Sequence, residues 1–396
     1  MAQISVLLSI AVLLIACGNS SSRQPPAEWA KDQRGTAAAA TSDPQGSYWP
    51  TKEWQGSSPE RQGMDSAELA RLFDSINSSS IRSVLIVRHG YLVLEAYAPS
   101  IGPDTAQPIY SGTKSFTSAL VGIALEKGYL PSIHHRLLDF FPDLQYANHD
   151  PRKRSITLEN LLTMTSGVAW WEYVAFDSRN TLMQMERSSD WVQFFLDRPM
   201  VEDPGTRWNY NTGGAHVLSA IVQKQSGKTL SDFAAENLFT PIGITSVNWP
   251  ADPQGVSFGG RGISMTARDM ARFGYLYARE GMWDGRQVIP AEWVRESTKK
   301  RFAAKFGQDY AYLWWVPAFG GFAANGFRGQ RIFVIPEQDL VVVITASINS
   351  QAMMTEPEYL VRRFILPAVK SSGSLPENSA GAAQLADRVR VFGQLP

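Results

Sequence analysis

The chain has 396 residues, 44% of them apolar and 19% charged, with 37 basic against 37 acidic side chains. That length exceeds one minimal core and suits a large domain or two interleaved subdomains able to bury an active site; the even charge balance excludes a nucleic-acid partner, which calls for a basic excess or stripe. One cysteine in the whole chain rules out an intrachain disulfide and a Cys-rich structural metal site.

The first feature in chain order is an apolar stretch, Val6 to Ala16, too short to span a bilayer and followed by Cys17. Leu14-Ile15-Ala16-Cys17 resembles the bacterial lipobox, in which a signal is removed before a cysteine that becomes lipid-modified. Residues 1–17 are therefore read as a lipoprotein signal, with Cys17 as the lipidation site anchoring an exported protein to the periplasmic or extracytoplasmic face of a bacterial membrane. The n-region lacks Lys and Arg, so an ordinary export signal with an incidental cysteine is the alternative. Residues 18–60, rich in Ser, Ala, Gly, Pro and Gln without periodicity, suit a flexible tether.

A helix is expected over Met64–Asn77, then two apolar runs, Ser83–Arg88 and Tyr91–Tyr97, separated by His89-Gly90 as in a β-hairpin. Helical patterns follow over Ser115–Lys127, Thr157–Met164, Asp190–Asp197, Gly213–Gln225, Leu230–Leu238 and Thr266–Arg279, the last opened by the capping-box pattern Thr266-Ala-Arg-Asp269. A second hairpin is expected where Arg331–Ile335 and Leu340–Thr345 flank Pro336-Glu-Gln-Asp339, and a last helix where Thr355-Glu-Pro-Glu358 opens a stretch reaching Lys370. The implied fold class is α+β. An antiparallel sheet flanked by helices would draw its strands from 61–110 and 246–370, with a helical subdomain inserted at about 115–245, a domain spanning 61–370, and a polar tail over 371–396. No internal repeat is visible.

Candidate chemistry begins at Tyr110-Ser111-Gly112-Thr113-Lys114, just before the helical run of Phe116, Ala119, Leu120 and Ile123. Positions i and i+3 share a helix face, so Ser111 Oγ and Lys114 Nζ can meet. A serine hydroxyl needs a base, and lysine serves as one only if burial or positive potential lowers its pKa. A helix N-terminus supplies that potential and a backbone N–H for an oxyanion. Ser-x-x-Lys alone is a chance-level pattern, equally read as a helix cap beside a solvated lysine. As a signature of penicillin-binding proteins and β-lactamases it requires further motifs downstream.

Those motifs are found at Asp203-Pro-Gly-Thr-Arg-Trp-Asn-Tyr210-Asn211-Thr212 and at Ala324-Asn325-Gly326-Phe327-Arg328-Gly329-Gln330. From about Gly63 to Val369 the sequence resembles the class C β-lactamase-like serine hydrolases of penicillin-binding-protein fold, and within them the 6-aminohexanoate-dimer hydrolases and carboxylesterases, in which Gly-x-x-Gly-Gln replaces Lys-Thr-Gly. Thr163-Met-Thr-Ser-Gly167, Gly262–Ala271 and Trp314-Trp315 add to the likeness. The resemblance implies that Ser111 is acylated, Lys114 is the base, Tyr210 relays the proton to and from the leaving group, and the backbone N–H groups of Ser111 and Phe327 form the oxyanion hole. It also implies a substrate contact at Tyr173, a small ester or linear amide as substrate, and neither cofactor nor metal; further substrate contacts are expected at Thr212, Trp315 and Gly326.

Two departures bear on substrate. Thr212 replaces the asparagine of Tyr-x-Asn, and Ala324 stands where β-lactamases carry a lysine for the β-lactam carboxylate. A D-alanyl-D-alanine carboxypeptidase or weak β-lactamase, and a binding module without catalysis, are the alternatives; the latter would lack one of the three catalytic residues. Trp170, Trp171, Tyr173, Phe176, Trp314 and Trp315 are core aromatics, the commoner case, or an aromatic wall around the substrate, with Tyr173 the one singled out for contact. Gly255-Val-Ser257-Phe-Gly259 matches a nucleophile elbow but lacks the strand before and helix after it. The five histidines show no His-Glu-x-x-His spacing.

Overall fold

The computed structural model describes residues 48–76, 80–172, 178–305, 307–349 and 355–394. Cys17 and Tyr173 lie outside the described residues. β1 (Ile81–Arg88) and β2 (Tyr91–Tyr97) form the expected hairpin about His89-Gly90. Short strands β3 (Gln107–Pro108) and β4 (Ser264–Met265) pair with each other, as do β5 (Met282–Trp283) and β6 (Arg286–Gln287). The C-terminal strands are β7 (Phe302–Ala303), β8 (Asp309–Tyr310), β9 (Trp315–Val316), β10 (Phe322–Gly326), β11 (Gln330–Ile335) and β12 (Leu340–Ala346).

One eight-stranded sheet runs β2-β1-β12-β11-β10-β9-β8-β7, antiparallel at every pairing. Its centre explains the apolar runs: every residue of β11 and β12 is buried, and a strand covered on both faces reads as a continuous hydrophobic segment rather than as an alternation. Ile81–Arg88 thus pairs with Leu340–Ala346, joining segments more than 250 residues apart.

The helices are α1 (Ser66–Ser75), α2 (Thr113–Glu126), α3 (Leu158–Leu162), α4 (Thr181–Glu186), α5 (Trp191–Leu196), α6 (Thr212–Ser226), α7 (Leu230–Ala234), α8 (Ala267–Ala278), α9 (Ala291–Thr298), α10 (Glu356–Leu360), α11 (Leu366–Ala368) and α12 (Ser379–Phe392). α8 packs across β1, β11 and β12, while α2 and α6 pack on each other beside the sheet. Side chains cap the starts where the sequence offers a cap: Asp65, Thr157, Asp190, Asn211 and Thr266 each accept a backbone N–H of the following turn.

Three expectations are corrected. The stretch from Tyr48 to Glu60 packs on the domain rather than forming part of a tether. Trp54 is buried and donates to Arg268 O, Trp49 packs at a tilt against Tyr275 and Trp283, and Arg272 donates to Pro50 O. The tail beyond 370 is not merely polar: α12 buries Leu385 and Phe392, lies on α1, and sets Phe392 against Phe73 with ring centroids 5.6 Å apart. Its apolar positions, Leu385, Val389 and Phe392, fall at helical spacing but are sparse among polar residues. At α10, finally, the capping box is not formed: Thr355, at ψ 1° rather than extended, makes no side-chain cap, and the Glu358 carboxylate pairs instead with the buried Arg331, 2.9 Å away.

Candidate active site

Ser111 sits in a 3-10 turn, Tyr110–Gly112, that runs directly into α2. Tyr110 is held at φ 48°, a left-handed conformation that costs a bulky residue roughly 1–3 kcal/mol and that clusters at functional sites. The β3–β4 pair brings this turn beside the loop preceding β4. Lys114, in the first turn of α2, is 1% exposed. Its Nζ lies 3.2 Å from Ser111 Oγ, 2.8 Å from Thr212 Oγ1 and 2.7 Å from Gly260 O.

Two glycines make these approaches possible. A Cβ on Gly260 would stand 2.3 Å from Thr212 Cγ2, so only glycine lets this loop close over the start of α6 and present its carbonyl to Lys114. A Cβ on Gly326, the last residue of β10, would stand 2.1 Å from Ile109 O. The bare backbone there lets β10 press against the chain just ahead of Ser111 and sets Phe327 beside Tyr110, their rings edge-to-face at 5.7 Å.

Tyr210 is buried beside the lysine, with Nζ 4.6 Å from its ring centroid, and its phenol hydrogen-bonds Ser111. Trp315, predicted to touch substrate, packs against Tyr210, Trp208 and Tyr310 and is 6% exposed. Thr212, also predicted to touch substrate, is fully buried and turns its hydroxyl to Lys114 and Glu172. Its hydroxyl thus faces the lysine, and Gly260 packs against its methyl group. Trp170 and Trp314 are core side chains, whereas Trp171 is 52% exposed.

The electrostatics differ between the two candidate bases. Burial lowers Lys114 to about 7, opposed by the Glu172 carboxylate and assisted by Arg261. The starts of α2 and α6 both lie at the amine, and their positive ends act in the same downward direction. Burial, and then Glu172, push the Tyr210 phenol above its ordinary value, with the Ser111 hydrogen bond and Arg331 pulling the other way. Near neutral pH this set therefore holds a lysine that can be a free amine and a tyrosine that stays a phenol.

The Beta-lactamase family profile matches residues 70–364. The chain belongs to the beta-lactamase family. Members of this family are serine hydrolases. Among curated proteins the chain is 24% identical over 288 residues to the 6-aminohexanoate-dimer hydrolase of Paenarthrobacter ureafaciens, covering 66% of this chain and 71% of that protein. It is 27% identical over 173 residues to the D-aminopeptidase of Brucella canis, covering 41% of this chain and 31% of the other. Among solved structures, a penicillin-binding protein homologue from Caulobacter crescentus superposes with a TM-score of 0.62 at 16% identity, covering 78% of this chain and 97% of that one. The sheet, with its helices and their order, is that of the β-lactamase and penicillin-binding-protein fold.

Against that family pattern, Ala324 is buried on β10. Arg331, on the neighbouring strand opposite Asn325, donates to Gly326 O and Gln330 O and pairs with Glu358. Ser257, in the elbow-like sequence, is 2% exposed and accepts a hydrogen bond from Ser231 N at the start of α7. Among the described residues no group of three or more His, Cys, Asp or Glu side chains could hold a metal ion, and no helix is long and apolar enough to cross a membrane.

Sequence reasoning missed Glu172. Its carboxylate accepts Thr212 Oγ1–H at 2.5 Å, Thr212 N–H at 2.9 Å and Trp170 Nε1–H at 2.9 Å. The available signal was a lone acid inside the aromatic run Val168 to Phe176, where a charged side chain needs a partner. Arg261, in an ion pair with Glu186 at 2.5 Å, carried no such signal.

Proposed function

We propose that the protein is a serine esterase or amidase that cleaves a small ester or linear amide through an acyl-enzyme on Ser111. The observation that carries this reading is a buried lysine, lowered to about 7, within 3.2 Å of a serine hydroxyl that also bonds a buried phenol. In the first half-reaction Ser111 Oγ attacks the substrate carbonyl as its proton passes to Lys114. The negative oxygen of the tetrahedral species is held by the backbone N–H groups of Ser111 and Phe327. Such preorganised donors are worth about 10²–10³ in rate each.

Collapse requires a proton on the departing alcohol or amine. Tyr210, still a phenol, supplies it and is replenished from the Lys114 ammonium, so no charge is left on the tyrosine. Water then attacks the acyl-enzyme, giving its proton to the same pair, and the carboxylic acid leaves as Ser111 recovers its hydrogen. Lys114 rather than Tyr210 is the base because the phenol is pushed up while the amine is brought down.

The substrate class is drawn from what surrounds this set. The 6-aminohexanoate-dimer hydrolase relative supports a linear amide. Ala324, together with the engagement of Arg331 by Glu358 and two carbonyls, argues against a substrate whose free carboxylate needs a cation, as a β-lactam or D-alanyl-D-alanine peptide does. Exposed Trp171 offers an apolar surface adjoining Glu172. The lipobox-like end at Cys17 supports export and lipid anchoring.

Labelling with a fluorophosphonate followed by peptide mapping tests the mechanism. Modification at Ser111 is expected, and modification at Ser257 instead would sink it. A panel of nitrophenyl esters, aminohexanoate dimer, nitrocefin and D-alanyl peptides tests the substrate class, with turnover expected on the first two. Incorporation of a palmitate analogue that disappears in Cys17→Ser tests the anchor.

A further inference from the structure

Hydrogen-bond directions tie Glu172 to Ser111 through Thr212 and Lys114. Thr212 Oγ1 lies between two groups, Glu172 Oε1 at 2.5 Å and Lys114 Nζ at 2.8 Å. A hydroxyl has one proton to donate. Glu172 receives three donors, Thr212 Oγ1–H, Thr212 N–H and Trp170 Nε1–H, the pattern of a carboxylate that only accepts. The threonine proton therefore points to Glu172, and the threonine oxygen accepts from Lys114. Gly260 O, a carbonyl at 2.7 Å, also only accepts.

Both N–H bonds of a neutral Lys114 are thereby assigned. A neutral amine has two N–H bonds and one lone pair, and the remaining contact is Ser111 Oγ at 3.2 Å. We infer that Glu172 is a positioning residue which, by fixing the Thr212 hydroxyl, turns the Lys114 lone pair onto Ser111. The inference rests on the acyl-enzyme reading above. Without the carboxylate, the Thr212 proton could turn to Lys114 and occupy the lone pair, leaving the serine without a base.

Glu172 has a second effect on the same amine. Proton transfer creates an ammonium in a buried site, and the carboxylate one hydroxyl away stabilises it. Among the described residues the charged and titratable groups around Lys114 are Glu172 before α4, Arg261 in the loop over α6, Glu186 on α4 paired to Arg261, Tyr210 before α6 and Arg331 on β11. Glu172 opposes the lowering of Lys114 by burial, and Arg261 adds to it. Removing the carboxylate charge must therefore move the acid limb of the rate to lower pH.

The experiment measures kcat/KM on a nitrophenyl ester against pH, with fluorophosphonate labelling of Ser111 in parallel. In Glu172→Gln the amide carbonyl can keep the Thr212 N–H and Trp170 Nε1–H, which leaves the NH2 to donate to Thr212 Oγ1, so that the threonine proton turns to Lys114. The variant should lower kcat/KM about 10- to 100-fold and shift the acid limb downwards. Thr212→Val should lower kcat/KM by a similar factor, with Thr212→Ser restoring it. A Glu172→Gln limb that stays in place or moves up, or a Thr212→Val enzyme as fast as wild type, would overturn the inference. If Glu172→Gln fails to fold, the Thr212→Val and Thr212→Ser pair decides alone. Wild-type protein left unlabelled at Ser111 would instead refute the acyl-enzyme reading.

Discussion

The centre of the sheet and the junction of α2 with α6 are buried to the same degree but are built from opposite materials. Ile332–Ile335 of β11 and Leu340–Ile344 of β12 are wholly apolar, and where β1 and β12 carry a buried polar pair, Ser83 and Thr345, the two hydroxyls bond each other at 2.5 Å. Thr113 to Leu125 of α2 is equally enclosed, yet Lys114, Ser115 and Thr117 send their polar atoms to Gly260 O, Leu313 O and Gly259 O in loops about 140–200 residues away. The first region turns burial into stability. The second uses burial to change the chemistry of a side chain, lowering a lysine to about 7 at the expense of keeping a desolvated amine. Substitutions should therefore separate the two: activity lost without unfolding at the junction, stability lost without a change in mechanism in the sheet.

The largest effect expected is that of Ser111→Ala. Loss of the nucleophile should reduce kcat by at least about 10⁴-fold, while a partly exposed, small-to-smaller change should leave Tm within a few degrees of wild type. Calorimetry beside ester turnover checks both. A large drop in Tm would mean that the Ser111 turn also carries structural weight, and the contrast between regions would weaken. Next in size is Ile344→Ala in β12, a fully buried residue paired with Val84 and Arg331. It should cost about 2–5 kcal/mol in denaturant unfolding, with kcat per folded molecule unchanged.

The pH dependence sharpens the same comparison. Lys114 works as a base only when unprotonated, so kcat/KM should rise with pH and level off above about 7, falling tenfold per unit below it. The linked stability effect has the same sign. A lysine whose native pKa is depressed leaves the unfolded chain binding more protons between the native and the ordinary value, so stability also rises with pH from about 7 towards alkaline conditions. Lys114→Met should abolish turnover and flatten that part of the stability profile.

How much of this could be read from the chain follows from the same division. The hairpins, the helices α2, α6 and α8 and a sheet drawn from both ends of the chain were legible because buried strands and long helices leave uninterrupted apolar patterns, whereas the strand order and the two-residue strands β7 to β9 were not. Ser111, Lys114 and Tyr210 were legible because their local sequences carry both the spacing and the family likeness. The partners of Lys114 were not. Gly260 contributes only a carbonyl, and Glu172 is joined to the site through Thr212, so neither leaves a spacing in sequence. Thr212 was recognised as a departure, but its direction was not, since a hydroxyl at that place can face substrate or lysine until Glu172 is known. Arg331 similarly gives no hint in sequence that it will pair with Glu358 of α10.

The smallest effect concerns the segment most easily misread, α12. Its cap, Asn378, accepts Gly381 N–H at 2.9 Å, and replacing such a cap with alanine costs about 1 kcal/mol. Because α12 lies on α1 at the rim of the molecule rather than in the sheet, that cost should appear as local opening before global unfolding. In Asn378→Ala, amide exchange should accelerate roughly fivefold in 379–392 and in the facing part of α1, with β12 amides and ester turnover unchanged. Faster exchange confined to α12, with α1 unaffected, would mean that the Phe73–Phe392 contact does not couple the two helices. Acceleration reaching β12 would mean that the C-terminal helix is part of the sheet's cooperative unit, and the division between a stabilising core and a reactive junction would then extend to the end of the chain.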